Sequence, residues 1–259
     1  MINIQYMLRV AENAALDAAA AIMDVYRRGD IDWTMKPDAS PLTRADKLAQ
    51  MVIIRHLRRT GLPILSEEAA AMEYEVRKYW EHYWIVDPLD GTREFIHQLE
   101  DFTVNIALME GDRPVAGVIH APVNGVTWLG SKDTGAWKKK RSGIRQLPPQ
   151  GPRRTIQDLT DMERLTVVIS RSHHSEETLE FIKQFGDVHL ISMGSSLKFM
   201  ALADGKADLY PRLGTTMEWD TAAAHAILHA VNKGIYRMDL SAELQYNQPD
   251  LRNPFFVAF

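Results

Sequence analysis

The first apolar residues, Ile4, Leu8, Ala11, Ala15, Ala18, Ile22 and Val25, recur at spacings of three and four. That period predicts an amphipathic helix packed on a core, ending near Arg28 and Gly29. A polar stretch, KPDASPLTRAD, follows, in which ASPLT reads as a turn. A second helix is predicted from about Thr43 to Arg59, with Leu48, Val52, Ile53 and Leu57 inward. LPILSEE reads as a short strand entering an acidic loop, and the polar residues 72–82 are compatible with a helix. Strand-like runs then cover Tyr83–Val86, Phe102–Met109, Val115–Ala121 and Val126–Gly130. Gly111-Asp112, Asn124-Gly125 and Asp133-Thr134-Gly135 are turn signals between or after them, so an antiparallel sheet is expected.

The rhythm changes at RQLPPQGPRRT, which predicts a boundary between a lobe over 1–150 and a lobe over 151–259. Beyond it, Leu165–Ile169 reads as strand, Ser175–Phe185 as helix and Val188–Ser192 as strand. A helix over 195–204, a strand over 207–212, a helix over 219–231 and short strands over 235–238 and 255–258 complete the alternation. The expected fold class is α/β: an α+β lobe followed by an α/β lobe, with a site between them.

Composition narrows the function classes. The chain has 259 residues, 46% hydrophobic and 25% charged, with a net charge of −4. No basic field recruits nucleic acid polymers or anionic membranes. The one basic run, Lys138 to Arg141, reads first as a solvated hairpin end and second as a contact for an anionic partner. With no cysteine, thiolate nucleophiles, disulfides and zinc–sulfur sites are excluded. The first residues lack the order of a signal peptide, and Asp17 and Asp24 interrupt the first apolar stretch, so no transmembrane segment is expected there. A cytoplasmic protein is expected, with peripheral contact at an inner membrane left open.

The chemistry gathers in acids at element ends: Glu67, Glu68, Asp87, Asp90 and Asp220. Pro88 limits the VDPLDGT turn, and Gly91 permits unusual dihedrals or close approach. Thr92 opens TREFI, a helix start suited to an anion. Converging carboxylates repel unless a cation neutralises them or one is protonated. Oxygen donors, the Leu89 carbonyl included, favour magnesium or manganese, and a metal beside an anion site implies phosphoryl chemistry. Each feature alone has a plainer reading: a turn for DPLDGT, a helix cap for Asp220, a solvated loop for Glu67 and Glu68.

Together, LSEEAA, VDPLDGT and WDTAA resemble the motif set of the lithium-sensitive, magnesium-dependent inositol monophosphatase superfamily. SPLTRAD, YWIVDPLDGTREFI, FTVNIAL, VVISRSH, GSSLKF and LYPRLG are similar to its CysQ-type 3'(2'),5'-bisphosphate nucleotidase branch. The resemblance implies a layered αβαβα sandwich. It implies two or three magnesium ions held by Glu67, Asp87, the Leu89 carbonyl, Asp90 and Asp220, with manganese as a substitute and lithium as an inhibitor. Thr92 and Glu67 would orient the attacking water, supported by Asp46. Gly91 and Thr92 would receive the phosphate. Ser170, His173, Gly194, Ser195, Lys198 and Arg212 would border a nucleotide and its second phosphate. Asp46 also reads as a helix-dipole residue, Ser195 as a cap, His173 as part of a surface turn, and Lys198 and Arg212 as surface charges. Thr215 stands where these nucleotidases often carry proline, and no Gly-Gly pair follows the last long helix. The implied reaction removes the 3'-phosphate of adenosine 3',5'-bisphosphate, with its phosphosulfate analogue as a second substrate. An inositol or sugar phosphatase and a nucleotide- or metal-binding sensor on the same fold are the competing readings. The sequence leaves oligomeric state open.

Overall fold

The computed structural model describes residues 2–29, 31–36, 41–69, 72–171 and 176–259. The opening apolar period becomes α1 (Ile4–Arg28), which buries Leu8, Ala11, Ala15, Ala18, Ile22 and Val25. Asn3 caps its start by accepting the Tyr6 amide at 2.9 Å, and left-handed Gly29 ends it. Next, β1 (Trp33–Met35) pairs antiparallel with β2 (Pro41–Thr43). The expected turn at ASPLT is therefore strand from Pro41 to Thr43, while Ala39 and Ser40 lie outside the described residues. Helix α2 (Arg44–Leu57) packs on α1, with Ile53 and Leu57 buried and Leu48 and Val52 half-buried.

After β3 (Ile64–Ser66), the polar stretch expected as helix forms one turn, α3 (Tyr74–Arg77). The rest of it leads into β4 (His82–Asp90), whose pairing begins at His82. A short α4 (Thr92–Ile96) precedes β5 (Thr103–Glu110), β6 (Arg113–Ala121), β7 (Val126–Ser131), β8 (Gly135–Lys140) and β9 (Gly143–Leu147). Strands β3 to β9 form one seven-stranded sheet in chain order, antiparallel except for the β3–β4 pair. Alternation sends Trp84, Val86, Val104, Ile106 and Leu108 towards α1 and α2. Tyr83, Ile85, Ala107, Met109 and Ile119 face the opposite way. Burial on both faces explains why these strands read as continuous apolar runs rather than alternating ones.

The second half supplies α5 (Ile156–Thr160), β10 (Arg164–Ser170), α6 (Glu176–Ile182), β11 (Asp187–Met193), α7 (Leu197–Ala203), β12 (Tyr210–Arg212), α8 (Glu218–His229), β13 (Ile235–Arg237) and β14 (Phe256–Ala258). Helices α7 and α8 cover the second face of the large sheet. On their far side lie the parallel pair β10–β11 and the sheet β12-β14-β13, joined by a parallel bridge from Val167 to Leu209. Leu165, Val167, Ile169 and Val257 then pack outward on Leu159 of α5 and Ile182 of α6. The layers run helix, sheet, helix, sheet, helix, as the sequence resemblance implies. The core between the large sheet and α8 draws on residues from both sides of position 150. Gly117 sits at the contact of β6 with α8, where an added Cβ would lie 2.1 Å from the Ala223 carbonyl oxygen.

The basic run is a solvated hairpin end only at Lys140 and Arg141, which are exposed at the turn from β8 to β9. Lys138 is buried in β8 and ion-paired with buried Asp204, while Lys139 reaches Glu12 at 2.8 Å. Its partners lie far away in sequence, so nothing local marked Lys138 as an interior residue.

Candidate active site

Strand β4 does not stop at Val86 but continues through DPLD to Asp90. Two residues three apart point to opposite faces of a regular strand. Here Asp87 lies opposite Asn105 and Asp90 opposite Thr103, so three steps on β4 match two on β5. The extra residue is a β-bulge, and it turns both aspartates to the same side. The Asp87 Oδ1 accepts the Leu89 amide at 3.0 Å, which fixes the bulge from within. Gly91 then takes φ +92°, and a Cβ there would lie 3.0 Å from the Asp101 carbonyl oxygen. Only glycine meets both demands without strain.

Helix α8 delivers Asp220 in its first turn. Its Oδ2 accepts the Met217 amide at 2.8 Å, yet Asp87, Asp90 and Asp220 each place a carboxylate oxygen within 4.8 Å of the others. Burial pushes all three carboxyls up; repulsion from the neighbouring acids adds to it at Asp87 and Asp220, while Lys198, Ser196 and Asn105 oppose it at Asp90. Asp220 reaches about 8. Burial likewise raises Glu67, with Lys36 opposing and Asp46 and Asp90 adding repulsion. Lys36 donates to Glu67 at 2.7 Å and pairs with Glu68, so this acidic loop is not simply solvated. Buried, convergent oxygen donors that resist ionisation in the absence of a cation suit a hard divalent ion.

Asp46 is the N3 residue of α2 and divides its carboxylate. Oδ2 accepts from the Thr43 amide at 2.7 Å and from the Thr43 hydroxyl. Oδ1 accepts the Thr92 hydroxyl at 3.2 Å, and that hydroxyl also lies 3.2 Å from the Leu89 carbonyl oxygen. The two neighbours are acceptors, so the Thr92 proton points inward. The hydroxyl lone pairs are left for a donor in the cleft, which Thr92 lines.

Asp90, Gly91, Thr92, Ser170, Ser195, Lys198, Arg212 and Asp220 all line this one cleft. Asp46 and Leu89 support Thr92 from behind. Lys198 is buried and donates to the Ser195 carbonyl at 2.7 Å. Burial, aided by Arg212, pulls its ammonium down to about 8 against the pull of Asp90 and Glu94. Arg212 donates to the carbonyl of Thr215 at 3.2 Å, the position that departs from proline. Gly194 sits behind the cleft wall, its amide on Asp101 Oδ2 at 2.9 Å. His173 lies outside the described residues.

Several participants carried no usable sequence signal. Lys36 lay in a featureless polar stretch. Asp101 joins Gly194 to Arg171, whose Nη2 reaches the same Oδ2 at 2.7 Å. Asn105 and Ser196 donate to Asp90 Oδ2 at 3.2 and 2.7 Å, the second from its amide. Thr103 and Asn105 were findable, because polar side chains two apart inside the apolar run FTVNIAL share one face.

A model of the inositol monophosphatase family matches residues 3–253. The chain belongs to that family. Among members of this metal-dependent family, it is 44% identical over 233 residues to 3'(2'),5'-bisphosphate nucleotidase CysQ of Salmonella typhimurium, covering 89% of this chain and 90% of the relative. The CysQ of Escherichia coli K12 is 44% identical over 225 residues, or 86% of this chain and 87% of that one. The crystal structure of Bacteroides thetaiotaomicron CysQ superposes with a TM-score of 0.82 at 42% identity, covering 98% of this chain and 97% of that one. The Anabaena inositol monophosphatase superposes at 0.76 with 24% identity over 99% of this chain and 91% of that one, which shows the shared fold. No described helix is long and apolar enough to cross a membrane.

Proposed function

We infer that the chain is a CysQ-type 3'(2'),5'-bisphosphate nucleotidase, which hydrolyses the 3'-phosphate of adenosine 3',5'-bisphosphate to AMP and inorganic phosphate. One observation carries the reading: a single cleft is lined by acids of the Asp87–Asp90–Asp220 cluster and by Lys198 and Arg212. A phosphomonoester at the acids leaves a second anionic group to meet the cations. An inositol monophosphate offers no such second group.

In this reading, Glu67, Asp87, the Leu89 carbonyl, Asp90 and Asp220 hold two or three magnesium ions. Bound magnesium supplies charge neutralisation, a more acidic water and stabilisation of the leaving oxygen. The chain's own groups position and deprotonate. Thr92 Oγ1 accepts a hydrogen from the attacking water as its own proton passes to Asp46 Oδ1, a carboxylate made a better acceptor by burial. The water oxygen forms the new bond to phosphorus, the bond to the 3'-oxygen breaks, and that oxygen takes a proton from solvent. Lys198 and Arg212 bind the 5'-phosphate with charge-assisted contacts and so orient the 3'-group. Ser170, His173, Gly194 and Ser195 border the nucleotide. The lobe over 1–150 supplies most of the acids, and the lobe over 151–259 supplies Asp220 and the cations.

The test is a phosphate-release panel with magnesium across adenosine 3',5'-bisphosphate, its phosphosulfate analogue, inositol 1-phosphate and a sugar phosphate. The nucleotides are expected to turn over fastest, with lithium and chelator both inhibitory. Equal or faster release from inositol 1-phosphate would overturn the substrate assignment. Nucleotide binding without any release would make the protein a sensor.

A further inference from the structure

On the far side of α8 from the cleft lies a second group of metal-ligating atoms. His225 and His229 are four apart, so they share one face of the helix. Their ring centroids are 4.3 Å apart. Glu243 approaches from the segment between β13 and β14. Its Oε2 is 2.9 Å from His229 Nε2 and 3.8 Å from His225 Nε2. One ligand atom from each of the three residues lies within 4.8 Å of the others.

We propose that His225, His229 and Glu243 form a binding site for a zinc-class transition-metal ion, separate from the oxygen-only acid cluster. Bonds of about 2.0–2.1 Å at a tetrahedral centre put neighbouring ligand atoms roughly 3.3 Å apart. The observed 2.9 and 3.8 Å straddle that value, so shifts of a few tenths of an ångström suffice. Two imidazoles and a carboxylate select zinc, cobalt or nickel over magnesium.

The surroundings supply the orienting contacts such a site needs. The Tyr246 hydroxyl lies 3.0 Å from His225 Nδ1, on the opposite side of the ring from Nε2. With Nδ1 carrying the hydrogen, Nε2 keeps its lone pair for a ligand role. Completely buried His225 is held well below its usual protonation range by burial and by His229, so its ring is neutral. Arg153 grips the other oxygen of Glu243, leaving Oε2 turned to the histidines. Burial opposes ionisation of Glu243, but the hydrogen bond from His229 and the charge of Arg153 outweigh it and hold the carboxyl at about 2. The His225 imidazole and the Glu243 carboxylate are thus in the protonation states that bind metal.

The site also has an entry. His229, Glu243 and Arg153 line a cavity of about 970 Å³ between α8, the start of β6 and the end of β9, which leaves room for a water as fourth ligand. The ion would take the place of the hydrogen shared by His229 Nε2 and Glu243 Oε2 at 2.9 Å, and would displace the Ile235 amide, which lies 3.4 Å from His225 Nε2 at the long end of hydrogen bonding. A bound ion would tie the last turn of α8 to the segment carrying Glu243. Asp220 sits at the other end of the same helix.

Cobalt(II) tests this, because its visible spectrum reports tetrahedral nitrogen ligation. The full chain is titrated with cobalt in excess magnesium, which keeps the acid cluster occupied. One cobalt per chain with intense visible bands is expected. The bands should persist in Asp90→Asn and vanish in His229→Ala. Glu243→Gln keeps an oxygen for Arg153 but is a poor ligand, so it should lose them too and decides the matter if His229→Ala fails to fold. Tyr246→Phe should weaken binding by about 10–100-fold through lost orientation of His225. Absence of the bands in the wild-type chain would overturn the proposal. So would their survival in a folded His229→Ala or Glu243→Gln, or their loss in Asp90→Asn.

Discussion

Asp46 gives its two carboxylate oxygens separate partners, and Asp220 both caps its helix and joins the acid cluster. In each, one oxygen accepts a backbone amide at the start of its helix, from Thr43 or Met217. The other Asp46 oxygen accepts the Thr92 hydroxyl, while Asp220 places a carboxylate oxygen in the acid cluster. The cap and the proposed active-site role are compatible in one side chain, which is why the sequence could not choose between them. An asparagine retains one oxygen for the cap but loses the charge. Asp220→Asn should therefore cost less than about 1 kcal/mol in metal-free urea melts, and relief of repulsion should offset even that. Phosphate release should fall at least about 10³-fold in the same protein. Thr92→Ala should lower kcat by about 10²–10⁴-fold with little change in metal-free stability, and Thr92→Ser should restore most of it. Undiminished steady-state phosphate release by Thr92→Ala, or release by Thr92→Ser no better than by Thr92→Ala, would remove the hydroxyl relay from the mechanism.

At the scale of elements, the bulge in β4 decides the site. Pro88 and the Asp-Gly pair are ordinary turn material, so the sequence read as a strand that stops. What it lacked was the partner strand: only the register against Asn105 and Thr103 reveals one extra residue on β4. The long helices were legible because their periodicity is local. The hairpin end at Lys140 and Arg141 was legible too, but the burial of Lys138 was not, since it depends on meeting Asp204 from another element. Strand β6 carries a further testable feature. His120 is buried with Nδ1 2.8 Å from the Thr127 hydroxyl, and burial pulls its pKa from the usual 6.5 to about 4. The unfolded chain thus binds the proton more tightly. The stability tied to neutral His120 is fully present above pH 6.5 and is lost as pH falls towards 4. The loss amounts to at most about 3 kcal/mol. Urea melts across this window should show a slope in the wild-type chain that His120→Gln reduces, the remainder belonging to other groups such as buried His225. Parallel slopes would show that His120 does not titrate on unfolding.

For the whole molecule, the site depends on two halves of the chain meeting across the large sheet. The layered architecture was legible in the order of periodic segments, but the closeness of the layers was not. Gly117 looked like any strand glycine, yet it is where α8 touches β6. Gly117→Ala should destabilise the protein by about 3 kcal/mol, read as a lowered denaturation midpoint, because its Cβ meets backbone rather than a movable side chain. A midpoint within error of wild type would mean the layers can separate freely. The contact of Asp90 with Ser196 has a wider consequence. One carboxylate belongs to the acid cluster and also holds, through the Ser196 amide at 2.7 Å, the loop of Ser195, which the proposed function puts on the nucleotide side of the cleft. Two ligands that act on one shared group are thermodynamically linked, and linkage is reciprocal. Whatever factor magnesium contributes to nucleotide affinity, the nucleotide must return to magnesium affinity. Calorimetric titrations run in both orders should give the same coupling factor, above one, and Ser196→Pro, which deletes the amide donor, should bring it towards unity.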